Sequence, residues 1–227
     1  MNLEDKRGLI IGGYPLTNEE RMYILNQQSD SAMCYIAVDG GLLQFMLMDI
    51  VPDLFIGDMD SVRESALFWY FKRRRNCFLL KKDKNFLDME AAIDSIETTS
   101  LKKVEIWGVL GGRTDQTFSC IALLKRAREK GIELVLRTGD ERMGLISGKV
   151  ERQIQCEPDD LWSFIAISEC VTGLSLSGFK YNLENQTLRD TETLTLSNVS
   201  VTDCVNIGID SGEVLYFNKT GRHENVE

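Results

Sequence analysis

The chain has 227 residues, 43% of them hydrophobic and 27% charged, which is the profile of a globular protein able to bury one large core or two smaller ones. Its formal charge of −9 argues against a nucleic-acid backbone as main partner, because such binding rests on Lys and Arg neutralising phosphates. A nucleotide substrate stays open, since a polyphosphate can be held by a divalent metal on carboxylates.

No run approaches the ~18 apolar residues of a membrane-crossing helix, and the opening MNLEDKRGLIIGG lacks the basic-then-apolar layout of a signal peptide. Cys34, Cys77, Cys120, Cys156, Cys170 and Cys204 form no C-x-x-C pair and read as reduced core residues. A cytoplasmic location is therefore expected. Asn185, Asn198 and Asn218 fit the glycosylation pattern but carry no weight without a secretion signal.

In chain order, GLIIGG reads as a buried strand, and TNEERMYILNQQ as a helix with Thr17 and Glu20 in capping-box spacing. MCYIAV and DLFIG are the next strands, and RESALFWYFKRRR is a helix whose closing cations, Lys72 to Arg75, suit a solvated C-terminal turn. CFLL predicts a short strand, DMEAAIDSIET a helix opening at Asp88, and KVEIWGVL a strand. A helix follows with Phe118, Ile121 and Ala122 on one face. Gly131 closes it, and IELVLR returns as a strand. This alternation predicts a Rossmann-like α/β domain with a mostly parallel sheet covered on both faces, over residues 1–140.

From 141 to 227 the pattern becomes RMGLISG, VERQIQC, LWSFIAI, GLSLSGF, LTLSNVSV, VNIGI and EVLYF, with turn signals such as Asp210-Ser211-Gly212 between them. No helix-period segment of useful length survives there. An all-β C-terminal domain of sandwich or jelly-roll type is expected.

In an open α/β sheet, ligands bind outside the carboxyl ends of the strands. Asp39 follows CYIAV, Asp58 and Asp60 follow DLFIG, and Arg113 and Asp115 follow VEIWGVL. With Asp88 they place several carboxylates and one arginine along one sheet edge, where like charges repel unless a cation sits among them. Each piece also has a plain structural reading. Asp58-Met59-Asp60-Ser61 could be a turn before a helix, Asp39-Gly40-Gly41 a tight strand-to-helix turn, and Thr114 or Asp115 a helix N-cap beside Gly111, Gly112 and Arg113. Lys81 and Lys82 next to Asp83 are surface charges unless a phosphate lies near. The P-loop and G-x-G-x-x-G patterns are absent, and His223, the lone histidine, reads as a tail residue, so a Ser-His-Asp mechanism has no support.

Taken together, these residues resemble the thiamine pyrophosphokinase family, with five motifs in order across nearly the whole chain. AVDGG…VPDLFIGDMDS, DKNFLDMEAA and GVLGGRTDQTFSCIALL are similar to the nucleotide and metal segments of the family, and GFKYNLENQTL with Leu196-Ser197-Asn198 to its thiamine-binding half. The resemblance implies transfer of diphosphate from ATP to thiamine, giving thiamine diphosphate and AMP. It implies Mg²⁺ on Asp58, Asp60 and Asp88, with Arg113 as an added cation in catalysis. Asp39, Gly40, Gly41, Ser61, Asp83, Arg113, Asp115 and Gln116 would line the nucleotide, with Lys84 beside Asp83. Tyr181, Ser197 and Asn198 would contact thiamine. A homodimer with sites at the subunit interface is also implied. Leu87 stands where the family has Thr, and Val199 where many members have Glu. Two other readings of the same residues are a D-x-D glycosyltransferase, which leaves GGRTDQ and the β domain unexplained, and a noncatalytic thiamine-binding regulator, which has no need of the aspartates.

Overall fold

The computed structural model describes residues 7–27, 33–57, 62–73, 77–79, 88–97 and 101–220. Asp58, Asp60, Ser61, Lys81, Lys82, Asp83, Lys84, Leu87 and His223, all singled out from the sequence, lie outside the described residues. The chain divides into two compact units, 1–139 and 140–227.

In the first unit the strands are β1 (Arg7–Ile11), β2 (Met33–Val38), β3 (Leu54–Gly57), β4 (Cys77–Leu79), β5 (Lys103–Trp107) and β6 (Glu133–Thr138). The helices are α1 (Asn18–Asn26), α2 (Gly41–Leu47), α3 (Glu64–Arg73), α4 (Asp88–Glu97) and α5 (Thr114–Glu129). The strands pair in parallel in the order β6-β5-β1-β2-β3-β4. From β1 the chain builds outward through β2, β3 and β4, then returns to the other side of β1 for β5 and β6. The strand order therefore reverses between β1 and β5.

Alternation along the strands divides the core between the two faces. Leu9, Ile11, Ala37, Phe55 and Trp107 pack with Ile24 of α1, Leu42 and Phe45 of α2, and Ala66 and Tyr70 of α3. The intervening Ile10, Ile36, Ile56 and Ile106 are equally buried and point to the opposite face, where α4 packs on β2 and β3, and α5 on β6 and α4. Both faces are covered, as parallel sheets require.

The helix ends follow the sequence signals. Thr17 Oγ1 accepts from the Glu20 amide (3.2 Å) while the Glu20 carboxylate accepts from the Thr17 amide (2.7 Å), the reciprocal capping box. At the end of α5, Gly131 takes a φ of +68°, its amide donates to Arg128 O, and the Ile132 amide reaches back to Ala127 O. These are the two bonds of a Schellman ending, which a residue with a Cβ would strain. In the last turn of α3, the Lys72 ammonium lies 4.2 Å from the Phe68 ring centroid and the Arg73 guanidinium 4.9 Å from that of Trp69, consistent with a solvated helix end.

Four expectations need correction. Helix α2 was not foreseen. The buried face of α5 is Cys120, Leu123, Leu124 and Ala127, while Phe118 is 68% exposed, because the face turned to the sheet is offset from the one that Phe118 marks. The N-cap of α5 is Arg113, one residue before Thr114 and two before Asp115. Cys120 is buried, while Cys34, Cys156, Cys170 and Cys204 are half-buried.

The second unit has no helix among its described residues. Its strands are β7 (Glu141–Ser147), β8 (Val150–Gln155), β9 (Leu161–Ala166), β10 (Cys170–Ser177), β11 (Leu183–Arg189), β12 (Asn198–Val199), β13 (Cys204–Ile209) and β14 (Glu213–Lys219). They form two antiparallel layers, β12-β9-β14-β7 and β11-β10-β13-β8. Trp162, Phe164, Val214 and Tyr216 of the first layer meet Val171, Leu174, Val205 and Ile207 of the second in one core, with Phe179 edge-on to both Trp162 and Phe164. This is the expected sandwich. The reading of LTLSNVSV as a full strand is corrected to the two residues of β12, and β11 is not among the strands that the sequence pattern marks. Two of the three glycosylation-pattern asparagines, Asn198 and Asn218, are buried.

Candidate functional site

At the carboxyl ends of the strands of the first unit lies a cavity of about 440 Å³, of a size that suits a nucleotide. Gly13 and Tyr14 come from the loop after β1, Val38 to Gly40 from the end of β2, and Gly108 and Val109 from the loop after β5. Asp88 and Met89 from α4, and Gln116 and Cys120 from α5, complete much of its wall. It therefore straddles the place where the strand order reverses, the usual ligand crevice of open α/β sheets.

Asp39 lines the cavity from the left-handed region, with φ +48°, a conformation uncommon outside glycine that Asp tolerates better than most residues. Its amide donates to Ile56 O (3.0 Å) at the end of β3. Its carboxylate rests so close to the Cα of Gly57 that any Cβ there would collide with Oδ1. The β2 and β3 ends are thus locked together, and Asp58 is the residue that follows Gly57 in the chain. Gly41 is needed for a different reason: a Cβ on it would overlap the Ile11 carbonyl, so only glycine lets α2 start directly against the end of β1.

Asp39, Gly40, Asp88 and Gln116, all expected from the sequence, line this one cavity. Arg113 and Asp115 do not. They are exposed and bound to each other, with Arg113 Nε donating to Asp115 Oδ1 (3.0 Å) and Nη2 to Oδ2 (2.5 Å). That bond, first of all, holds the Asp115 carboxyl below its ordinary range and raises the Arg113 guanidinium. Cys120, unforeseen as a wall residue, has its thiol pushed up by burial to about 11 and is therefore protonated at neutral pH, not a nucleophile.

The donors available to a metal are carboxylate oxygens, the hard ligands that magnesium takes. Among the described residues no group of three His, Cys, Asp or Glu stands close enough to hold one. Asp39 and Asp88 in one cavity, with Asp58 next along from Gly57, are nevertheless of the right chemistry.

The second unit brings its three expected residues together. Asn198 Nδ2 donates to Tyr181 O (2.7 Å), and Oδ1 accepts from the Tyr181 amide (3.1 Å) and the Val199 amide (2.9 Å). Ser197, at φ +59°, is held through its amide by Ser163 Oγ (3.1 Å). Tyr181 is 61% exposed. A larger concavity, of about 680 Å³, crosses the four-stranded layer beside Ser175, Ser177, Asn206 and Gly208; it takes in Leu183, Glu184 and Asn185 of the GFKYNLENQTL motif but none of Tyr181, Ser197 and Asn198. Size alone does not make it the site.

Comparisons with known proteins fit this geometry. The models for the thiamin pyrophosphokinase catalytic domain and vitamin B1 binding domain match residues 25–136 and 151–214, together about three quarters of the chain. A curated thiamine pyrophosphokinase of Bacillus subtilis is 27% identical over 175 residues, covering 77% of this chain and 81% of the relative. The solved thiamine pyrophosphokinase of Bacillus subtilis superposes with a TM-score of 0.83 at 26% identity, covering 95% of this chain and 100% of the other. That of Candida albicans, at 15% identity and a TM-score of 0.80 over 96% of this chain and 90% of the other, shares the fold.

Proposed function

The chain belongs to the thiamine pyrophosphokinase family, and we propose on that footing that it transfers the terminal diphosphate of ATP to thiamine, giving thiamine diphosphate and AMP. The observation that carries the reading at the level of the site is the joint placement of Asp39, Gly40, Asp88 and Gln116 around one nucleotide-sized cavity at the strand-order reversal. Neither a glycosyltransferase nor a noncatalytic regulator is favoured by the family match.

In this reaction the hydroxyethyl oxygen of thiamine attacks the β-phosphorus of ATP. The new O–P bond forms as the bridge between the α- and β-phosphates breaks, AMP leaves, and the hydroxyl proton passes to solvent or to a nearby carboxylate. Asp58, Asp60 and Asp88 are the residues that would hold Mg²⁺, which when bound offsets phosphate charge. Asp39, Gly40, Gly41 and Ser61 would border the polyphosphate, with Asp83 nearby. Arg113 would turn from Asp115 to a phosphate, an exchange made easy by its exposure, and Gln116 would remain on the wall. Tyr181, whose open ring suits a cationic heterocycle, and Ser197 would meet thiamine. A cytoplasmic homodimer in which the β unit of one copy completes the site of the other is the assembly that the resemblance supports.

Asp88→Asn tests the site. Turnover should fall at least ~100-fold, with the residual activity needing more Mg²⁺, while the urea unfolding midpoint stays close to wild type. Turnover near the wild-type value would remove Asp88 from the metal site.

A further inference from the structure

We infer that Tyr14 is the platform on which the base of the nucleotide stacks, an inference that rests on the reading above that this cavity takes ATP. Tyr14 lies in the loop after β1, facing the loop after β5 across the strand-order reversal, and its amide donates to Gly108 O (2.9 Å), tying the two loops together. Its ring lies over Gly111 and Gly112: a Cβ on Gly112 would come within 3.0 Å of Cδ2 and Cε2, and one on Gly111 within 3.5 Å of Cε1. The two glycines thus form a bare backbone shelf under one part of the ring, and Gly111, at φ +89°, holds a conformation that side chains rarely adopt.

Propped in this way, Tyr14 still leaves 44% of its surface exposed, and it is the one aromatic among the described residues lining the cavity. A large ring already fixed by backbone contacts loses little freedom when a second flat group settles on it. The surrounding wall suits a purine. Met89, Val109 and Leu123 are apolar, and Gln116 and Ser119 offer hydrogen bonds to a heterocycle edge. The carboxylates of Asp39 and Asp88 mark where metal-bound phosphates belong, which leaves the Tyr14 shelf to the base. For the rings of thiamine, the second unit supplies its own exposed aromatic, Tyr181.

The test compares AMP, which carries the base, with magnesium tripolyphosphate, which does not. Binding of AMP by calorimetry and inhibition by tripolyphosphate against ATP are measured for wild type, Tyr14→Ala and Tyr14→Phe. Tyr14→Ala should weaken AMP about tenfold, as loss of base stacking does, and Tyr14→Phe should stay within roughly twofold of wild type because the ring face is retained. Inhibition by tripolyphosphate should be the same for all three. Unchanged AMP affinity in Tyr14→Ala would overturn the inference and leave the family reading intact. Parallel weakening of AMP and tripolyphosphate would overturn it too, reducing Tyr14 to a prop for the glycine turn. A wild-type protein that binds neither AMP nor ATP would overturn the nucleotide reading itself, and the inference with it.

Discussion

Asn198 and Ser197 are neighbours in one motif, yet the structure gives them different work. The Asn198 amide is engaged on the main chain of Tyr181 and on Val199, and the residue is buried, so its part is to hold the Tyr181 segment in place. Ser197 is exposed, and its amide donates to Ser163 Oγ, so it is the main chain that anchors it. Asn198→Ala should therefore lower unfolding free energy by about 1–3 kcal/mol, the cost of leaving buried backbone groups unpaired, and raise the thiamine KM as Tyr181 loses its brace. Ser197→Ala should raise the thiamine KM more than the ATP KM with little change in stability. Urea titrations and paired KM measurements check both. A stability loss from Ser197→Ala equal to that from Asn198→Ala would contradict the division. The motif singles out the pair but cannot tell a clamp from a contact, because that depends on which partner groups the fold brings within hydrogen-bonding reach.

The helices α4 and α5 show electrostatics acting between elements. Asp94 receives Arg126 Nε (2.8 Å) and Nη2 (2.5 Å), with Lys130 Nζ at 3.2 Å. The Arg126 hydrogen bond is the main cause holding the Asp94 carboxyl below its ordinary value of 3.8, against a smaller opposing effect of burial. The folded state thus binds this proton less readily than the unfolded chain, so the stabilisation is complete above about pH 4 and is lost as pH falls further. Asp94→Asn should cost roughly 0.5–1 kcal/mol at pH 7, as befits a partly exposed pair, and the deficit should shrink below pH 4. Urea midpoints across that range measure it; a deficit independent of pH would mean lost packing, not lost charge. Strands and helices with clear periodicity, such as MCYIAV or the capped TNEERMYILNQQ, were legible from residues alone. Helix α2 was not, because seven residues reading GLLQFML are too short to show a helical period. Strand β11 was missed because Glu184 to Thr187 are polar and exposed, without the alternation that burial of one face imposes.

At the scale of the molecule, the change of pattern near residue 140 marked the switch from an α/β to an all-β unit, and the chain divides after Gly139. The grouping of Asp39 and Asp88 was also legible, since strand ends in a parallel sheet share one edge, whereas Gln116 came only with the family motif. What the sequence could not supply was the order β6-β5-β1-β2-β3-β4, and with it the crevice that faces Tyr14 toward Gly108 to Gly112. No periodicity encodes which strand lies beside which. The central claim, diphosphoryl transfer at this site, is tested most directly by incubating the purified chain with thiamine, ATP and Mg²⁺ and resolving the nucleotide products. Thiamine diphosphate with equimolar AMP, abolished by EDTA, is the predicted result. ADP with thiamine monophosphate, or no thiamine phosphate at all, would contradict it.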